Sequence, residues 1–226
     1  MFCGGHFDFE EKYMKAVIFD MDGVLVDSQP YHFKADIDTM AEYGVIKDQK
    51  FYESFAGTLT ADRMRTLKEM FGLDVPVEEM TIKRENMILD IMGKEDIKPV
   101  SGIPEFLRSI EEKGLTTAVA SSSDYKLINL ILDRLKIAQY FDSVTSGSDV
   151  KRGKPSPDVF LLAAERIGIG PSECLVVEDS ENGVKAAKSA GMKALGYINT
   201  TSGKQDLSLA DFITDDFKKI SIDMFI

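Results

Sequence analysis

Histidine is scarce in this chain: His6 and His32 are the only two among 226 residues. Histidine-based phosphatases, serine–histidine triads and histidine-rich zinc sites therefore lack the parts they need. Cysteine is as sparse, and Cys3 and Cys174, far apart, give no disulfide framework. Positive charge is short too, with 27 Lys and Arg against 38 Asp and Glu and a formal net charge of −11. Nucleic-acid binding needs a basic face and is disfavoured. No apolar run approaches membrane-spanning length, so no membrane partner is expected. Asp8, Glu10 and Glu11 interrupt any signal-peptide pattern, and a cytoplasmic location is the expectation.

What is present is enough apolar content, 44%, to bury a real core in one large domain or two modest ones. The most informative segment is Ala16-Val17-Ile18-Phe19 followed by Asp20-Met21-Asp22-Gly23. Four apolar residues before a turn read as a fully buried strand. Carboxylates at its end are costly unless something cationic meets them. Residues i and i+2 of a strand share a side, so Asp20 and Asp22 aim at one point, and Gly23 permits a sharp turn. This pattern suggests a hard-cation and phosphate site.

Ser28 is expected to cap a helix beginning near Pro30. Phe33, Ile37, Met40 and Ala41, then Leu59, Met64, Leu67, Met70 and Phe71, then Met87, Ile88, Ile91 and Met92 recur at helical spacing. Residues 29–98 therefore read as a helical insert. Beyond Pro99 the chain alternates, with strands at Leu115–Ala120, Ser143–Thr145, Cys174–Val177, Lys193–Ile198 and Asp211–Thr214 separated by helical stretches. Such alternation predicts an α/β fold: a doubly wound, Rossmann-like parallel sheet core, residues 14–28 and 99–226, carrying an inserted helical domain. Residues 1–13 are expected to be an extension from a non-native start. Met14-Lys15 leads straight into the first strand, and Glu10-Glu11-Lys12 can be encoded by a purine-rich ribosome-binding sequence if the source is bacterial; an ordinary short tail is the alternative.

Ligands of such sheets bind beyond the carboxyl ends of the strands. Asp20 and Asp22, Ser121 to Ser123, Lys154, and Glu178 with Asp179 all fall there. Singly, each has a plainer reading: Asp179 and Ser180 as helix caps, the serines as a polar turn, Lys154 as a surface lysine. Their coincidence at four strand ends is far more specific than any one of them. A run from Gly147 to Gly153-Lys154 resembles a P-loop, but five residues separate the glycines and Pro155 replaces the metal-binding Ser or Thr.

FDMDGVLVDS, AVASSS, GKPSPD and VVEDSENG resemble, in order, the four motifs of the haloacid dehalogenase-like superfamily. The insert resembles the small cap of its β-phosphoglucomutase-like subfamily. The resemblance implies Asp20 as nucleophile, forming an aspartyl-phosphate, and Asp22 as acid then base. For the acid role, the surroundings of Asp22 should raise its pKa. It implies Mg2+ held by Asp20, the backbone of Asp22, Glu178 and Asp179. It also implies Ser121 and Lys154 on the phosphoryl group, and substrate contacts from Ser122, His32 and Gly23. An acid at position 22 favours phosphate-ester chemistry over dehalogenation or phosphonate cleavage.

Mutases of the subfamily grip a second phosphate with a cap arginine and lysine. Here Thr58, Leu59 and Thr60 follow Gly57, Arg63 comes a turn later, and Glu85 stands where the lysine should, with Lys83 and Arg84 nearby; Tyr125 replaces an asparagine. The expectation is a monomeric, Mg-dependent phosphatase of small phosphorylated metabolites. A β-phosphoglucomutase is the alternative, and a catalytically silent phosphate-binding regulatory module a distant one. Hinges are expected near Ser28–Pro30 and Lys98–Gly102.

Overall fold

A computed structural model describes residues 14–226, so the expected amino-terminal extension lies outside the described residues. Six strands, β1 (Ala16–Phe19), β2 (Thr116–Ser121), β3 (Ser143–Ser146), β4 (Cys174–Glu178), β5 (Lys193–Tyr197) and β6 (Phe212–Thr214), form one parallel sheet in the order β3-β2-β1-β4-β5-β6. The chain departs from β1 in both directions, so the sheet's switch point lies between β1 and β4, where a crevice opens beyond the strand ends.

The strand residues alternate between two buried layers. Val17 and Phe19 join Val119, Val177 and Leu195 on one face; Ala16 and Ile18 join Ala118, Ala120 and Val176 on the other. Both faces are covered, as the continuous apolar runs require. Helices α5 (Ile103–Glu112) and α6 (Tyr125–Leu135) pack on the first face through Phe106, Ile110, Ile128 and Ile131. Helices α7 (Asp158–Ile167) and α8 (Glu181–Ser189) cover the second through Phe160, Ala163, Val184 and Ala187. The α/β fold expected from the alternation is the fold found.

Between β1 and α5 the chain makes α1 (Gln29–Glu42), the short α2 (Gln49–Tyr52), α3 (Thr60–Phe71) and α4 (Val77–Lys94). Phe33, Met40, Val45, Tyr52, Met64, Leu67 and Met80 form a separate buried cluster there. The far end of α4 leaves it: Ile88 and Met92 join the sheet's own core. Val100 donates its amide to the Leu25 carbonyl at 3.0 Å, so the two strands of chain entering and leaving this segment are tied together. Among the described residues, no helix is long and apolar enough to cross a membrane.

Two apolar residues of the α3 pattern behave differently from the expectation. Met70 is exposed, and Leu59 precedes the helix and leans away onto Gly147 and Gly153. A Cβ at either glycine would collide with the Leu59 side chain. The glycines that resemble a phosphate loop thus seat a leucine from the helical segment.

Candidate active site

Asp20 follows β1 and is 5% exposed. Lys154, from the loop after β3, is 3% exposed and donates to Asp20 Oδ1 at 2.6 Å and to Glu178 Oε1 at 2.6 Å. Glu178 ends β4, and its Oε2 accepts from the backbone and hydroxyl of Ser180 at 2.8 and 2.9 Å. Ser180 also caps α8, accepting from the Gly183 amide, so its plain reading as a cap is met. Asp179 completes a cluster in which one oxygen each of Asp20, Glu178 and Asp179 lies within 4.8 Å of the others.

Three carboxyls face one ammonium in this cluster, all buried. Asp20 is pushed up to about 8, first by burial and then by Glu178 and Asp22, against the opposing pull of Lys154. Burial, with Glu178 and Asp20, holds Asp179 well above the usual carboxylate range. The cluster is short of positive charge. Among the described residues, Asp179 Oδ1 is buried without a hydrogen-bond partner, while Oδ2 accepts from the Ser202 hydroxyl. Gly23, at φ +88°, has no Cβ, and the Asp179 carboxylate fills that place. An orphaned carboxylate oxygen, converging acids and a glycine-made cradle fit a hard divalent cation.

Asp22 departs from the expectation that its surroundings raise its pKa. Burial alone would raise it, but His32, Ser28 and Ser123 outweigh that and hold it well below the ordinary carboxylate range. Ser28 and His32 meet Oδ1 at 2.6 and 2.7 Å; Ser123 donates to Oδ2 at 2.8 Å and Ser121 at 3.3 Å. Ser28 stands at the N-cap position of α1, yet its side chain makes no capping bond because it is turned to Asp22. On the other side of the His32 ring, Arg84 Nη2 meets Nδ1 at 2.7 Å. A guanidinium only donates, so Nδ1 accepts, and Nε2 keeps its proton and donates a hydrogen bond to Asp22 Oδ1.

The expected site residues come together with one difference in role. Ser121 is fully buried below Asp22, and Ser122 lines the cavity but donates its hydroxyl to the Gly57 carbonyl at 2.7 Å. Sequence reasoning placed Ser123 at the strand ends without its contact to Asp22, and missed the site roles of Ser28 and Ser202 and a buried ion cluster above the cavity. There Asp36, fully buried, accepts from Arg63 Nη1 at 2.5 Å and Arg84 Nε at 2.9 Å. The signal was legible: Asp36 precedes Met40, Arg63 precedes Leu67 and Arg84 precedes Ile88 by four residues, which puts three charges on buried helix faces. The cavity between the two clusters is about 30 Å3, lined among others by Asp20, Asp22, His32, Thr58, Arg63 and Arg84. That holds a water or two.

Comparison with known proteins shows the family and the fold. The family model for a haloacid dehalogenase-like hydrolase matches residues 14–191. A phosphorylated carbohydrates phosphatase of Thermotoga maritima is 34% identical over 182 residues, covering 80% of this chain and 84% of that protein. A beta-phosphoglucomutase of Bacillus subtilis is 32% identical over 191 residues, covering 81% and 83%. The solved structure of a beta-phosphoglucomutase from Clostridium difficile superposes with a TM-score of 0.83 at 24% identity, over 93% of this chain and 95% of that one, and shows the same fold.

Proposed function

The chain belongs to the haloacid dehalogenase-like hydrolase family, and from that premise we propose that it is a Mg2+-dependent phosphatase of small, sugar-phosphate-like metabolites. One observation carries the reading: Asp20 is held by Lys154 beside a cation-deficient carboxylate cluster, with Asp22 and its donors lining the same cavity. Similarity to a phosphorylated carbohydrates phosphatase supports the substrate class.

In this reading a carboxylate oxygen of Asp20 attacks phosphorus, the ester P–O bond breaks, and Asp22, having taken up a proton from solvent before the step, gives it to the leaving oxygen. Water then attacks the aspartyl-phosphate, Asp22 takes a proton from it, and inorganic phosphate leaves with Asp20 restored. The form of Asp22 held here, a carboxylate, is the one the second step uses. Asp20, Glu178 and Asp179 would hold Mg2+, which when bound offsets charge repulsion and polarises the phosphoryl group. Lys154 holds Asp20 in place and supplies fixed positive charge near the transferring group. We further propose that residues 29–98 act as a cap, since a cavity of about 30 Å3 admits no sugar phosphate until that segment moves.

Arg63 and Arg84 over the cavity support the mutase reading, in which a second phosphate is gripped from the cap. Their pairing favours the phosphatase: Asp36 engages both, Arg63 Nη2 is spent on the Phe55 and Thr58 carbonyls, and Arg84 Nη2 on His32. The test is a Mg2+-dependent screen of phosphomonoesters that includes β-glucose 1-phosphate with a bisphosphate primer, reading released phosphate and isomerised sugar phosphate separately. Phosphate release is expected, with Asp20→Asn folded but at least ~10^4-fold slower. Isomerisation without release would favour the mutase, and full activity of Asp20→Asn would refute the nucleophile.

A further inference from the structure

The segment after β5 lies beyond the four motifs, yet it reaches the acid cluster from behind. Asn199 Nδ2 donates to the Gly23 carbonyl at 3.0 Å, and its Oδ1 accepts from the Thr201 amide at 2.9 Å. A single 3-10 turn, Thr200–Ser202, follows. Gln205 closes the loop: its Nε2 donates to the Ser202 carbonyl at 2.9 Å, and its Oε1 accepts from the Glu181 amide at 3.0 Å. Ser202 is fully buried within this frame, and its hydroxyl donates to Asp179 Oδ2.

The two oxygens of Asp179 therefore differ. Oδ2 is engaged by Ser202, whereas Oδ1 is buried and unpartnered beside Asp20 and Glu178. Behind the carboxylate lies a separate cavity of about 260 Å3, lined by Asp179, Asn199, Gly203, Gln205 and Leu207 among others. A carboxylate repelled by two neighbouring acids would gain hydration by turning into that space. Ser202 opposes the turn by fixing one oxygen.

We propose that Ser202 is a positioning residue for the divalent cation: it locks the Asp179 carboxylate on the cluster and leaves a single oxygen, Oδ1, to ligate. The proposal rests on the metal reading of the Asp20–Glu178–Asp179 cluster. Partners of metal ligands orient them, and losing one typically lowers metal affinity ~10–100-fold.

The test is calorimetric titration of Mn2+ and Mg2+ into the substrate-free protein, as wild type, Ser202→Ala, Ser202→Cys, Asp179→Asn and the Ser202→Ala/Asp179→Asn double variant, each with its melting temperature. Expected are ~10–100-fold weaker binding in Ser202→Ala and in Ser202→Cys, which keeps a side chain of the same branching with a larger atom and a weak donor. In the Asp179→Asn background, Ser202→Ala should cost nothing further. Wild-type affinity in either single Ser202 variant, or an equal loss with and without the Asp179 carboxylate, would overturn the proposal. Absence of binding to the wild type would overturn the metal reading itself.

Discussion

Two buried ion clusters face each other across the cavity, and they are opposite in composition. Below, three carboxyls share one ammonium from Lys154; above, the single carboxyl of Asp36 serves two guanidiniums. The lower cluster lacks positive charge and raises Asp20 and Asp179 in response. The upper one has positive charge to spare, and burial of Asp36 is outweighed by Arg63 and Arg84, which lower its pKa. Asp22 and His32 join the two, one from each side. A site built this way is complementary to a cation below and to a single anionic group between, and the difference explains why its halves should fail in opposite directions.

Among the variants that test this comparison, Lys154→Met is expected to have the largest effect. Among the described residues it removes the one cation paired with the lower cluster, and loss of a transition-state donor of this kind costs about 10^2–10^3-fold in kcat. Stability should fall as well, by ~3–5 kcal/mol for an uncompensated buried charge. Added Mg2+ should recover part of the lost melting temperature, and added phosphate should not. Recovery by phosphate would break the comparison.

Asp36→Ala should destabilise by a similar ~3–5 kcal/mol with a smaller effect on kcat, because it strands two buried arginines. Here inorganic phosphate, not Mg2+, should restore melting temperature. The sign of the pH dependence follows from the lowered pKa of Asp36. Its contribution is complete above the ordinary carboxylate range and is lost as pH falls through the lower folded value. The gap in melting temperature between wild type and Asp36→Asn should therefore close on acidification; a gap that widens would refute the assignment.

Gly23→Ala is a local test of the cradle. A Cβ there would overlap Asp179, at a positive φ that costs about 1–3 kcal/mol for other residues. Weaker Mg2+ binding by calorimetry is expected together with that loss of stability, and unaltered binding would separate the cradle from the cation. The smallest effect is expected from Ser122→Ala, which removes one hydrogen bond between core and helical segment. At about 0.5–1.5 kcal/mol, KM should change no more than ~10-fold with kcat nearly unchanged. A loss confined to kcat would instead place the Ser122 hydroxyl on the reacting group.

Much of the lower cluster was legible because each member sits at a local boundary. An apolar strand ending in Asp20, or in Glu178-Asp179, announces both the strand and the acid within a few residues. The upper cluster was not read that way. By its position Arg63 comes a turn after the expected arginine, yet it reaches Asp36, 27 residues away, and Arg84 does so across 48. Ser28 was assigned the duty its position suggested, a helix cap, and the fold gave it another, at Asp22. Nor did the motifs give any reason to look past Ile198, where Ser202 meets Asp179.

By itself, the sequence determined the architecture and one half of the site. Alternating periodicities specify a parallel sheet, and a parallel sheet places all its strand ends, with their acids, serines and lysine, on one side. Only the tertiary structure decided which charges are paired, which carboxylate oxygen is left free, and how little room the cavity leaves. Those depend on how helices cross and where loops return, and no neighbour along the chain records that geometry.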